Sequence, residues 1–123
     1  MYLCGFGKTM KWKELRSLSD WHSAVERSCE LPVVIFKHST RCSVSTMAKR
    51  NVESSWEFSS DQVEAYFLDL LAYRDISAQI AGDTGVRHES PQLLLLMNKS
   101  AVYNASHNYI DTEDLRPYLN KTA

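Results

Sequence analysis

The chain has 123 residues, 44% of them hydrophobic and 24% charged, with a net charge near −1. That is the size of one ordinary domain, with enough apolar material for a core that needs neither disulfides nor a structural metal. The near-zero charge gives no strong field to recruit nucleic acid or an anionic membrane, and the longest apolar run, Leu93 to Met97, falls far short of the ~20 residues a membrane span needs.

Residues 1–9, MYLCGFGKT, fit no periodic pattern and read as a loose N-terminal extension; residues 10–121 read as one domain. The start is too short for a secretory leader and lacks a charged n-region, so the protein is expected in the cytoplasm. There Cys4, Cys29 and Cys42 are free thiols by default, and the Asn-X-Ser/Thr triplets at Asn98, Asn104 and Asn120 read as chance matches.

Lys11 to Leu15 fits a short edge strand. Ser19 or Asp20 is placed to cap a helix reaching about Ser28, with Trp21, Ala24 and Val25 turned inward. Leu31 to Lys37 is short, β-branched and continuously apolar, as for a strand covered on both faces. Ser43 to about Phe58 reads as a helix, since Val44, Met47, Ala48, Val52 and Trp56 recur at helical spacing. Val63 to Ala72 is a second apolar strand. Ile76 to Ala81 is a short helix, broken by Gly82-Asp83-Thr84-Gly85. Pro91 precedes a strand over Gln92 to Met97, Asn98-Lys99-Ser100 is a turn signal, and Ala101-Val102-Tyr103 is the hairpin partner. Asp111-Thr112-Glu113-Asp114 opens a final helix, its acids suited to the positive end of the dipole. Pro117 is tolerated only in the early turns of such a helix.

The order β-α-β-α-β-β-α, with an extra N-terminal helix, predicts an α/β single domain of thioredoxin-like, three-layer type. Its central mixed sheet has about four strands. Helix-separated strands are expected to pair in parallel, with an antiparallel edge from the hairpin. Such sheets place chemistry at the carboxyl ends of their strands, and Cys42 stands just after the first central strand.

A thiolate, not a thiol, attacks disulfides. Cys42 precedes a helix whose free first-turn N–H groups and macrodipole favour a negative sulfur. Arg41 and Lys37 add positive charge in sequence, as does His38 when protonated. Ser45, three positions on, is expected to turn its hydroxyl toward the sulfur. Ser90-Pro91 stands before the third central strand, where this topology favours a cis X–Pro bond whose preceding backbone pairs with an extended substrate. His88 is a candidate partner lining the Cys42 cleft, and His107 a weaker one. Cys29 follows the first helix and reads as structural.

The segments PVVIFKHSTRCSVS, GVRHESPQ and ASH resemble, in the same order, the monothiol bacilliredoxin C family, also described as YtxJ-like, over about Met10 to Leu119. That family has a thioredoxin-like fold and one active cysteine in a TCPIS-type motif, occupied here by Thr40-Arg41-Cys42-Ser43-Val44-Ser45. Arg41 is inserted before the cysteine. Ser43 replaces the usual proline and so keeps a backbone N–H that proline lacks.

The resemblance implies a thiol–disulfide oxidoreductase that removes bacillithiol caps from S-thiolated client proteins. Cys42 is then the nucleophile, with Ser45 beside it, and His38, Arg41, Ser43, Ser90, Pro91 and His88 form the substrate site. The protein is expected to be a monomer with no tightly bound cofactor or metal, and the resemblance implies bacillithiol or another low-molecular-weight thiol as co-substrate. One alternative is an iron–sulfur module of the monothiol glutaredoxin kind, opposed by Ser43 in place of the glycine of a CGFS motif. The other is a redox-inert adaptor with a buried Cys42.

Overall fold

The computed structural model describes residues 10–119. The extension expected over residues 1–9, with Cys4 in it, and the last positions of the expected domain lie outside these residues. Five strands and four helices follow one another as β1 (Trp12–Glu14), α1 (Leu18–Arg27), β2 (Val33–His38), α2 (Ser43–Ser55), β3 (Glu64–Asp69), α3 (Arg74–Thr84), β4 (Gln92–Met97), β5 (Ser100–Ser106) and α4 (Arg116–Leu119). The sheet order is β1-β3-β2-β4-β5. The sheet has five strands rather than about four because the edge strand expected over Lys11 to Leu15 joins it as β1, which pairs in parallel with β3 and is tied to α2 by the Trp12 indole N–H, 2.6 Å from the Glu53 carboxylate.

Strand β2 lies at the centre, parallel to β3 and antiparallel to β4. Its alternation splits the core in two. Val34 and Phe36 join Ala48, Val52 and Trp56 of the α2 region, with Leu93, Leu95, Leu115 and Leu119. Val33 and Ile35 pack with Trp21, Ala24, Ile76 and Ile80 of α1 and α3 on the other face. A continuous apolar run is the required pattern for a strand with helices on both faces.

The rule that helix-separated strands pair in parallel holds for β2 and β3 but not for β4. Asp69 at the end of β3 lies level with His38, and Gln92 at the start of β4 lies level with Lys37. The chain therefore leaves β3 and enters β4 at the same end of the sheet, because a further segment after α3 returns it there. The cis Ser90–Pro91 peptide sits at that entry.

Three local expectations shift. Helix α1 is capped by Ser17 rather than Ser19 or Asp20: the Asp20 N–H donates to the Ser17 hydroxyl (3.0 Å) and the Arg16 N–H donates to the Asp20 carboxylate (2.8 Å). This reciprocal arrangement satisfies two free donors at once. Helix α3 continues through Gly82 and ends at Gly85, whose left-handed φ of 73° closes it. Asp83 inside α3 then accepts from the Trp21 indole at 2.8 Å and ties α3 to α1. The acidic run after β5 opens as a 3-10 turn over Thr112–Leu115, capped by Asp111, before the single turn of α4. Among the described residues no helix is long and apolar enough to cross a membrane.

Candidate active site

Strand β2 ends at His38, and the chain turns through Ser39–Cys42, where the Cys42 N–H donates to the Ser39 carbonyl at 3.1 Å. The Cys42 carbonyl then accepts the Thr46 N–H at 3.0 Å, which makes Cys42 the N-cap of α2. No side chain caps this helix and no acid stands in its first turn. The N-cap side chain is the group that ordinarily meets the first-turn amides, so the half-exposed Cys42 sulfur is next to the positive end of a long helix. Ser43, Arg41 and Thr40 beside it are exposed. Cys42 is partly buried, whereas the inert-adaptor reading had it fully buried.

Ser45 departs from its expected role. It is fully buried, and its hydroxyl is 2.6 Å from His38 Nδ1 while accepting the Ser39 N–H at 3.0 Å. The hydroxyl therefore clamps the strand end to the helix beneath the turn, instead of turning to the sulfur. His38 is likewise not a surface group: it is 6% exposed and packs against Phe36 and Phe67. Burial, reinforced by the nearby Lys49 ammonium, pushes its imidazole below the usual histidine pKa. His38 is thus a neutral group supporting the loop from below, not a positive charge beside the sulfur.

Lys37 also points elsewhere than expected. Alternation along β2 turns it to the α1/α3 face, where it is completely buried and its pKa is lowered to about 8 by burial. Its Nζ lies 3.3 Å from His88 Nδ1, which is 2.9 Å from the Ser77 hydroxyl. His88 is accordingly held toward Lys37 and α3. The Ser90 hydroxyl is buried with no hydrogen-bond partner among the described residues, and the Pro91 carbonyl accepts the His107 N–H at 2.9 Å.

Two features lay beyond sequence reading. Val44 and Met47, expected on the inward face of α2, are 52% and 59% exposed and line a groove of about 360 Å³ with Ser43 and His107. Helical spacing groups them with Ala48 and Val52, but the packed face begins only at Ser45 and Ala48. The Lys37–His88–Ser77 cluster was hidden because its members come from β2, α3 and the loop before β4. A lysine inside an apolar strand was its one sequence signal.

Cys29 is exposed and lies at the far end of the sheet. The Asn98 N–H, just past β4, donates to the neighbouring Ser28 carbonyl at 2.8 Å, and β4 runs antiparallel to β2. The full length of β2, roughly 20 Å, separates that end from Cys42. A disulfide needs Cα atoms within about 7 Å, so Cys29 cannot resolve Cys42 in this fold.

A family model described as monothiol bacilliredoxin BrxC matches residues 13–115. Among solved structures, one described provisionally as an oxidoreductase with a thioredoxin fold superposes with a TM-score of 0.73 at 29% identity, covering 85% of this chain and 89% of its own. A Malassezia sympodialis thioredoxin gives a TM-score of 0.67 at 20% identity, covering 91% and 90%. Spinach chloroplast thioredoxin f gives 0.66 at 16%, covering 92% and 94%. The two thioredoxins show the fold alone. Joined to a lone half-exposed cysteine at the head of α2, the family match places this chain among the monothiol bacilliredoxins, thioredoxin-fold proteins of thiol redox chemistry.

Proposed function

We propose that this protein is a monothiol thiol–disulfide oxidoreductase of the cytoplasm that lifts low-molecular-weight thiol caps, bacillithiol in the first instance, from protein cysteines. The observation that carries this reading is the isolation of Cys42 among the described residues. It is half-exposed at the helix N-cap, the position three residues on is a buried serine, and Cys29 lies at the other end of the sheet. A one-cysteine site can complete a cycle only with a thiol from solution.

The Cys42 thiolate attacks the cap sulfur of the client's mixed disulfide. The old S–S bond breaks, the client leaves as a thiolate that takes a proton from solvent, and the cap remains on Cys42. A second small thiol, as thiolate, attacks the cap sulfur, regenerates the Cys42 thiolate and leaves as the symmetrical small-thiol disulfide. Oxidation state is conserved at each exchange. Exposed Arg41 and Ser43 flank the approach, and the Ser90–Pro91 backbone lies at the same end of the sheet to pair with an extended client segment.

The test is release of bacillithiol from an S-bacillithiolated client, with and without free bacillithiol. Wild type turns over repeatedly only with free thiol present, and mass spectrometry finds the cap on Cys42 without it. Cys42→Ser abolishes release. Release by Cys42→Ser at the wild-type rate, or multiple turnovers without free thiol, would sink the one-cysteine cycle.

A further inference from the structure

The α1/α3 face holds a second set of chemically active groups beside the same end of the sheet. Lys37 is completely buried, yet among the described residues no carboxylate forms an ion pair with it; its Nζ meets the His88 ring, at 3.3 Å. A buried ammonium without a counter-charge is costly, and ordinarily such charges are paired. His88 Nδ1 also faces the Ser77 hydroxyl at 2.9 Å, so one ring nitrogen serves both neighbours. Ser77 is itself buried.

Above this cluster opens a cavity of about 410 Å³, lined by Leu70, Arg74, Ser77, Ala78 and His88. Arg74 is a cationic residue of its lining, and among the described residues no acid lines it. The nearest acid in sequence to His88, Glu89, is 4.0 Å from His107. Leu70 at the cavity wall donates its N–H to the His38 carbonyl at 3.0 Å, which joins the cavity to the strand end from which the Cys42 turn departs.

We propose that this cavity is the subsite for a carboxylate of the low-molecular-weight thiol, with Arg74 in its lining and the buried Lys37 ammonium, which does not itself line the cavity, acting through the His88 ring as the missing counter-charge: His88 Nδ1 accepts from Lys37, which leaves the Nε2–H as the ring's donor. The apolar walls, Leu70 and Ala78, cover the uncharged part of the ligand. This inference rests on the function proposed above, in that the ligand is the small thiol whose sulfur meets Cys42. The site itself stands on Lys37, His88 and Arg74 and does not require Cys42.

The experiment titrates S-methyl bacillithiol, which retains its carboxylates and cannot exchange, into wild type, Lys37→Met, Arg74→Gln and Cys42→Ser. Lys37→Met keeps an apolar stem in the strand and removes the ammonium. The expected result is binding to wild type and Cys42→Ser alike, with Kd raised roughly tenfold or more in Lys37→Met and severalfold in Arg74→Gln, and with amide shifts in wild type centred on Leu70, Ser77 and His88. Kd unchanged within about twofold in both charge variants overturns the subsite. If Lys37→Met does not fold, an unchanged Kd in Arg74→Gln together with no shift at His88 does so alone. Succinate, a dicarboxylate without a thiol scaffold, is the second probe: Lys37-dependent binding of succinate with no binding of the thiol probe overturns the thiol assignment. A failed exchange assay with an intact Lys37-dependent Kd refutes the proposed function and not this site; an active enzyme with a Lys37-independent Kd refutes this site and not the function.

Discussion

Ser45 and His38 show how the turn that carries Cys42 is held from beneath by buried groups. The Ser45 hydroxyl serves the His38 ring and the Ser39 N–H together in a buried position. Ser45→Ala leaves both without a partner and is expected to cost about 1–3 kcal/mol, read as a lower urea midpoint with an unchanged m-value. The histidine supplies a pH signature. Its native pKa is depressed by burial, so on acidification the unfolded state takes up the proton first. The stabilising contribution is complete above the unfolded value of about 6.5 and is lost as pH falls through the lower native value. An NMR titration of the His38 ring should give a midpoint below about 6.5, and His38→Gln should flatten the acid limb of the stability curve. A midpoint at or above the free-histidine value would contradict the buried, neutral ring.

At the scale of elements, the two glycines of α3 have opposite meanings. Gly82 lies inside the helix with open space where a Cβ would stand, whereas Gly85 takes a φ of 73° at its end. Gly82→Ala should raise stability by about 0.5–1 kcal/mol through helix propensity. Gly85→Ala should lower it by about 1 kcal/mol, since the space is open and only the left-handed backbone resists. Thermal melts of the pair decide this. Helix α2 offers a second contrast: Val52 is 2% exposed and Met47 is 59% exposed. Val52→Ala is expected to cost about 2 kcal/mol through the cavity left in the core, and Met47→Ala to stay within about 0.5 kcal/mol. Equal costs would mean that the second turn of α2 is packed against something other than solvent.

For the molecule as a whole, the separation of thiols decides the reaction type. Cys29→Ser should leave the exchange rate within about twofold of wild type, because β2 puts roughly 20 Å between the two sheet ends. Oxidation of the wild-type protein should give no Cys29–Cys42 disulfide in a peptide map. A Cys29–Cys42 peptide from the monomer would show that the two ends come together and that the cycle is internal.

Much of this was legible beforehand, since it depends on near neighbours in the chain. The apolar runs marked β2 and β4 as buried strands, Gln92–Met97 to the residue. The order of elements led to the thioredoxin-like layers, and the strand–turn–helix junction put Cys42 at the N-cap. The local corrections had weak signals: Ser17 and Asp20 spell a cap two residues before the earlier of the two expected, and Gly85 rather than Gly82 carries the left-handed turn.

What sequence by itself determined was the order of elements, the position of the lone cysteine at a helix start, and the absence of a cysteine three places on. These follow from hydrophobic period, turn residues and chain order, all of which are local. Tertiary structure alone decided where the polar side chains of one strand go. The two-residue pleat sends Lys37 and His38 to opposite faces of the sheet, one to His88 under an open cavity and one to Ser45 under the Cys42 turn. The reversal of β4 and the distance from Cys29 to Cys42 were likewise settled only by packing, because both depend on which end of the sheet a connection returns to.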